Sequence, residues 1–271
     1  MSMSKNEGKP LTDTQSQSDE RRVRLQRVGV KGLELPFQIK AMGDGHQTVL
    51  ATVALTADLA HGFKGTHMSR FIEILEEWRN RPVSGHEVRA ILQHTKDVLK
   101  AEMAHVNIGF KYFIEKQAPS SRRKSILGYQ STFAGDMVDG VFDFQLGVEV
   151  PVTTVCPCSK AISDVGAHNQ RAMIRARVRF VPGTFVWIEE LVGILEQQGS
   201  SQVYPLLKRV DEKFVTEEAF RNPKFVEDVV RDSVLALRDN PRLRWFEVEC
   251  EAEESIHQHS AFAYQQETLE R

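Results

Sequence analysis

Phe142, Phe144, Leu146, Val148, Val150 and Val152 take every second position of one continuous run. An α-helix would scatter such residues around its axis, whereas a strand puts all of them on one face. The same alternation recurs at Leu33, Leu35, Phe37 and Ile39, at Val49, Ala51, Val53 and Leu55, and at Val106, Ile108, Phe110, Tyr112 and Ile114. It returns at Ile174, Ala176, Val178 and Phe180, and at Phe246, Val248 and Cys250. Half-buried strands in this number require an antiparallel sheet with one apolar face, and something amphipathic to cover it.

Segments with helical spacing supply the cover. Met68, Phe71, Ile72, Leu75 and Trp78 form one stripe, and Val88, Ile91, Leu92, Val98 and Leu99 form a second that opens on a Ser84/Glu87 capping box. With a further strand expected over residues 126–133, residues 25–137 read β-β-α-α-β-β. Residues 138–271 repeat that order, with a helix face at Ile188, Leu191, Val192 and Leu195. Their second helix is expected to open on Asn222 and Pro223 and to bury Val226, Val229, Val230, Val234 and Leu237; a last strand covers about 261–266. The chain is thus expected to be an α+β protein of two tandem units with helices on one face. Residues 1–24, rich in Ser, Gln and Asp with little to bury, are expected to be a disordered tail.

Composition narrows the function. A formal net charge of −2, from 35 basic and 37 acidic residues, gives no global attraction to nucleic acid or to a membrane, so an anionic ligand must be held locally. The N-terminus lacks the apolar core of a signal peptide, and no run approaches the roughly 18 apolar residues of a membrane span. Three cysteines without a secretory signal point to a reducing, cytoplasmic setting.

Chemistry concentrates in residues 153–171, TTVCPCSKAISDVGAHNQR, the connection between the first two strands of the second unit. Pro157 is expected to forbid regular structure between Cys156 and Cys158, leaving both thiols on a constrained turn. Three cysteines exclude a four-thiolate zinc site, and Cys250 keeps the phase of Phe246 and Val248 and reads as core. Cys156 and Cys158 are either inert small residues or, with His168 on the same loop, ligands or nucleophiles. Glu254 and His257 are spaced for one side of a turn, in a segment that also reads as a solvated acidic loop. Glu212 and Glu227 carry less information alone, because a helix dipole favours acids in a first turn without any function. Residues 120–125, SSRRKS, read equally as a phosphate cradle or a basic solvated loop. No P-loop, dinucleotide-binding or hydrolase-elbow motif is present.

Taken together, CPCSKAIS, GAHNQR, YPLLKR-x-DEKFVTE, NPKFVEDVVRD and ESIHQHSAFA, with GTHMSRF at residues 65–71, resemble the type IB family of GTP cyclohydrolase I, in consistent order over about residues 25–266. The resemblance implies a tunnelling fold assembled as a homotetramer. The implied reaction converts GTP and water to 7,8-dihydroneopterin triphosphate and formate, at the entry to folate biosynthesis. It also implies a metal held by Cys156, His168 and Glu212, with Zn²⁺, Mn²⁺ or Fe²⁺ compatible with that mixed donor set. Glu254 and His257 would line the site as further ligand or proton carriers, and Glu227 would grip the guanine ring. Arg122, Arg123, Lys124 and Arg171 are the cations available for the triphosphate. Two rival readings use the same loop. A nitrile reductase of the queuosine pathway would use a cysteine nucleophile and NADPH without a metal. A zinc-storing or redox-sensing module would bind metal or oxidant without turning over GTP.

Overall fold

The computed structural model describes residue 15 and residues 17–271. Most of the expected tail, residues 1–14 and 16, lies outside the described residues; its last member, Arg24, pairs with Asp58 and Glu102, both at 2.7 Å. The first half runs β1 (Leu25–Lys40), β2 (His46–Leu59), α1 (Met68–Trp78), α2 (Gly85–Leu99), β3 (Ala104–Gln117) and β4 (Lys124–Val138). The second runs β5 (Val141–Val155), α3 (Pro157–Ile162), β6 (Asn169–Phe180), α4 (Ile188–Glu196), β7 (Ser201–Gln202), α5 (Arg209–Arg221), α6 (Val226–Arg238), β8 (Leu243–Glu253) and β9 (Ser260–Thr268).

All strands join one antiparallel sheet in the order β1-β2-β3-β4-β5-β6-β8-β9, with β7 paired to β5. Register keeps the alternating apolar positions on one face across the whole width: Val53 opposes Ile108, Ile108 opposes Phe133, Phe133 opposes Leu146, Leu146 opposes Val178 and Val178 opposes Phe246. These residues are buried in a single core with the inner stripes of α1, α2, α4 and α6. Helix α2 approaches so closely that a Cβ on Gly135 would lie 2.6 Å from Val88 Cγ1, so only glycine fits beneath it. The Ser84/Glu87 capping box is formed, with Glu87 accepting from the Ser84 backbone N–H at 2.9 Å.

Three local expectations need correction. Pro157 does not prevent a helix; it is the first residue of α3, where its missing N–H would have no intrahelical partner anyway. Asn222 and Pro223 do not open α6. Asn222 ends α5, and α6 starts at Val226 with Asp228 accepting from the Phe225 backbone N–H at 3.1 Å. Helix α5 is additional to the two helices expected in this half; it has no apolar stripe to mark it in the sequence, and its buried residues are Asp211 and Ala219.

A polar cluster ties the two halves together inside the protein. Lys116 on β3 donates to Glu196 on α4 at 2.6 Å, to Gln202 at 3.0 Å and to the Val203 carbonyl at 3.1 Å. The Tyr129 hydroxyl on β4 donates to the same Glu196 oxygen at 2.5 Å. Lys116 and Glu196 are both 7% exposed. Burial pulls the Lys116 ammonium below its ordinary pKa, and the Glu196 carboxylate opposes that shift. Removing one partner of such a pair leaves an uncompensated buried charge, so Lys116→Met should lower unfolding free energy by about 3–5 kcal/mol in chemical denaturation. A loss below about 1 kcal/mol would show that the pair does not fasten the halves.

Candidate active site

The helix-covered face of β5, β6 and β8 continues past the end of the core. Val148, Val150 and Val152 are buried on that face, and two residues further along each step come Thr154 and Cys156. On β6 the phase of Ala172 and Ile174 extends back to Gln170 and His168, and on β8 the phase of Cys250 and Ala252 extends to Glu254. Strand alternation therefore collects Cys156, His168, Thr154, Gln170 and Glu254 at one end of the sheet.

Backbone and side-chain bonds fix the pair at its centre. The Cys156 N–H donates to the His168 carbonyl at 3.1 Å, extending the β5–β6 ladder by one rung beyond Val155 and Asn169. Cys156 is the N-cap of α3, and its Sγ accepts the Ser159 N–H at 3.4 Å. The Ser159 hydroxyl in turn accepts the His168 N–H at 3.2 Å, so one serine braces both residues. The His168 Nδ1 lies 3.1 Å from Gln170 Oε1 and 3.6 Å from Glu254 Oε2. Gln170 is held by its own amide nitrogen, which donates to Thr154 Oγ1 at 3.1 Å and to Glu254 Oε1 at 3.4 Å. With Nδ1 engaged in this way, Nε2 is the ring's remaining donor atom, the arrangement found around metal-bound histidines.

The remaining expected residues are placed more loosely. Glu254 partners His168, and its carbonyl accepts the His257 N–H at 3.4 Å. His257 and His259 are exposed and stacked, with ring centroids 5.1 Å apart. Glu227 is exposed in the first turn of α6, on the wall of a groove of about 500 Å³ shared with Ala263, Tyr264 and Gln265 of β9. Arg171 is out of phase with His168 and lines a different pocket, of about 640 Å³, beside Thr153, Gln202 and Tyr204. Glu212 is exposed in the first turn of α5. Among the described residues, no three His, Cys, Asp or Glu side chains gather closely enough to hold a metal ion, so neither Glu212 nor Glu254 completes a set with Cys156 and His168 within one chain. The Cys156 thiol and the tethered His168 imidazole nevertheless suit two positions of a divalent-metal site.

Cys250 behaves as the core residue its phase implies: it is buried, and burial pushes its thiol up to about 12. Cys158 is exposed on α3. The phosphate-cradle reading of residues 120–125 is altered, because the Ser120 and Ser121 N–H groups donate to the buried Asp211 carboxylate at 2.8 and 2.7 Å. Burial would raise the Asp211 pKa, but bonds from Ser121, Lys208 and Ser120 outweigh it and hold the carboxyl well below the usual range. Gln170, Ser159 and Asp211 were given no role from sequence. For Gln170 the signal existed, since it shares the strand phase of His168.

Comparison with known proteins bears on this arrangement. A family model described as type I GTP cyclohydrolase folE2 matches residues 11–263. The chain is 49% identical over 254 residues to GTP cyclohydrolase FolE2 of Syntrophus aciditrophicus, covering 94% of this chain and 98% of the relative. It is 51% identical over 253 residues to the protein of that name from Geobacter sulfurreducens, covering 93% and 96%. Among solved structures, uricase from Arthrobacter globiformis superposes with a TM-score of 0.54 at 8% identity, over 91% of this chain and 94% of that one. Urate oxidase from Bacillus sp. TB-90 does so with a TM-score of 0.52 at 10% identity, over 90% and 100%. At such identities the likeness concerns the fold alone, and that fold is the tunnelling fold. The nitrile-reductase and storage-module readings find no support in these matches. With its family model spanning nearly the whole sequence and relatives near half identity, the chain belongs to the FolE2 family of type I GTP cyclohydrolases.

Proposed function

We propose that this protein is a metal-dependent GTP cyclohydrolase of folate biosynthesis, opening the guanine imidazole ring, releasing C8 as formate and leaving 7,8-dihydroneopterin triphosphate. The observation that carries the site assignment is the pinned Cys156–His168 pair, whose backbone bond and Nδ1 tether preorganise one sulfur and one imidazole nitrogen. Cys156 and His168 would hold the metal, with Glu212 as third ligand. When bound, a divalent ion held by these residues would supply a water of near-neutral pKa, the kind of nucleophile that attack at C8 calls for. A thiolate, an imidazole and a carboxylate together suit Zn²⁺, and the carboxylate also admits Mn²⁺ or Fe²⁺. Among the described residues the donors do not gather into a set of three, and a homotetramer is the assembly proposed to complete the site.

The chain's other groups divide the work. Glu227 accepts the guanine N1–H and exocyclic amine as a bidentate pair, which orients the imidazole edge. His257 protonates the departing ring nitrogen and carries protons through deformylation and ring closure. Glu254 lines the site as a further ligand or proton carrier, and Gln170 orients His168. Arg122, Arg123, Lys124 and Arg171 are the cations offered to the triphosphate, Arg171 from the opposite face of β6 to His168. A reducing cytoplasm, in which all three thiols stay free, belongs to the same reading. No described helix is long and apolar enough to cross a membrane.

Metal-stripped protein should form no fluorescent pterin from GTP and should recover when Mn²⁺ or Zn²⁺ is restored; turnover that persists without metal contradicts the proposal. Cys156→Ala should remove activity by at least about a thousandfold while the melting temperature is kept, in line with loss of a group that acts as part of a unit. Glu227→Gln should lower kcat/KM for GTP by about 10- to 100-fold, the scale of one charged hydrogen-bonding partner. An unchanged value would remove Glu227 from the substrate site.

A further inference from the structure

Glu212 follows directly on Asp211, the buried carboxylate of α5. Asp211 is 0% exposed, and its two oxygens receive four hydrogen bonds. Oδ1 accepts the backbone N–H groups of Ser120 at 2.8 Å and Ser121 at 2.7 Å. Oδ2 accepts the Ser121 hydroxyl at 2.6 Å and the Lys208 N–H at 2.8 Å. The last of these caps the helix that carries Glu212. The other three come from the turn between β3 and β4, in the opposite half of the chain. Every group facing this carboxylate is a donor, so an amide in its place would turn an NH₂ toward at least one of them.

The segment leading to α5 has little else to set its course. Residues 203–208 contain no helix or strand. Their near end is held by Lys116, which bonds Gln202 and the Val203 carbonyl and lies 4.5 Å from the Tyr204 ring centroid. Their far end is held by Asp211. Both anchors therefore lie on the β3–β4 hairpin, so the start of α5 is fastened to the first half of the chain.

We infer that Asp211, clasped by the Ser120–Ser121 turn, is a positioning residue that sets the location of Glu212 for metal binding. The inference rests on the reading of Glu212 as a metal ligand. The clasp also fixes the turn carrying Arg122, Arg123 and Lys124 against the helix carrying Glu212, so the cations proposed for the triphosphate and the proposed carboxylate ligand keep one relative placement.

The test is the affinity of the full-length, metal-stripped protein for Mn²⁺, followed by the signal of free Mn²⁺ in electron paramagnetic resonance, together with the melting temperature of each variant. Asp211→Asn should weaken Mn²⁺ binding at least about tenfold, the range seen when groups that orient metal ligands are removed. Ser121→Ala should weaken it about threefold, and Ser121→Thr, which keeps the hydroxyl, should restore it. Val88→Ala lowers stability from the core beneath α2 and should leave Mn²⁺ affinity unchanged, which separates positioning from general loosening. Folded Asp211→Asn and Ser121→Ala proteins with wild-type affinity, alongside a weakened Glu212→Ala, overturn the clasp while the ligand reading stands. Wild-type affinity in Glu212→Ala overturns the ligand reading itself. If Asp211→Asn does not fold, the Ser121 pair decides: wild-type affinity in Ser121→Ala counts against the clasp.

Discussion

The pairing register of β5 with β6 is the constraint on which the site depends. Val150 opposes Ile174, Val152 opposes Ala172, Thr154 opposes Gln170, and one further backbone bond joins Cys156 to His168. A slip of β6 by a single residue would carry His168 and Gln170 to the opposite face of the sheet from Cys156. The same slip would turn Ala172, Ile174, Ala176 and Val178 out of the core, so the apolar burial that folds the sheet also fixes the position of the chemistry. Thiol, imidazole and tether need no separate scaffold, because they are the polar continuation of buried strand positions.

This continuity explains how much was legible in the sequence. The long alternating runs gave the strands, and their apolar phase gave the common face. Cys250 was correctly read as core because it shares that phase, and the loop after β5 was recognised by its motif. Other features were hidden because their determinants are not periodic. Helix α5 buries a charged Asp211 against a turn about 90 positions earlier in the chain, and no local pattern announces a carboxylate whose donors are so distant. Helix α3 is hidden in the sequence because proline breaks a helix interior, whereas at the first position, where Pro157 stands, it is tolerated. The start of α6 was misplaced because Asn222 and Pro223 mimic a cap, while Asp228 provides the actual one. Of the site itself, Cys156 and His168 are brought together by neighbouring strands, but Glu212 and Glu227 stand on separate helices whose placement only tertiary contacts determine.

The two halves form one sheet and are also joined through polar groups. Lys116 and Tyr129 from the first half converge on Glu196 from the second, and the turn after β3 binds Asp211. Buried charges of this kind add little net stability when complete, and their removal is costly, so they act chiefly to specify one arrangement. Here the arrangement they specify is the path from β7 to α5. The apolar core places the Cys156–His168 pair, and the polar clasps place the helix bearing Glu212.

Cys156, and not its neighbour Cys158, is the sulfur proposed to bind the catalytic metal. Loading the stripped protein with Co²⁺ and recording its near-ultraviolet absorption tests this directly, because a cobalt–thiolate bond gives a charge-transfer band that a cobalt–imidazole or cobalt–carboxylate bond does not. The band should be present in the wild-type protein and in Cys158→Ser, and absent in Cys156→Ser. Its persistence in Cys156→Ser, or its loss in Cys158→Ser alone, would rule out Cys156 as that ligand.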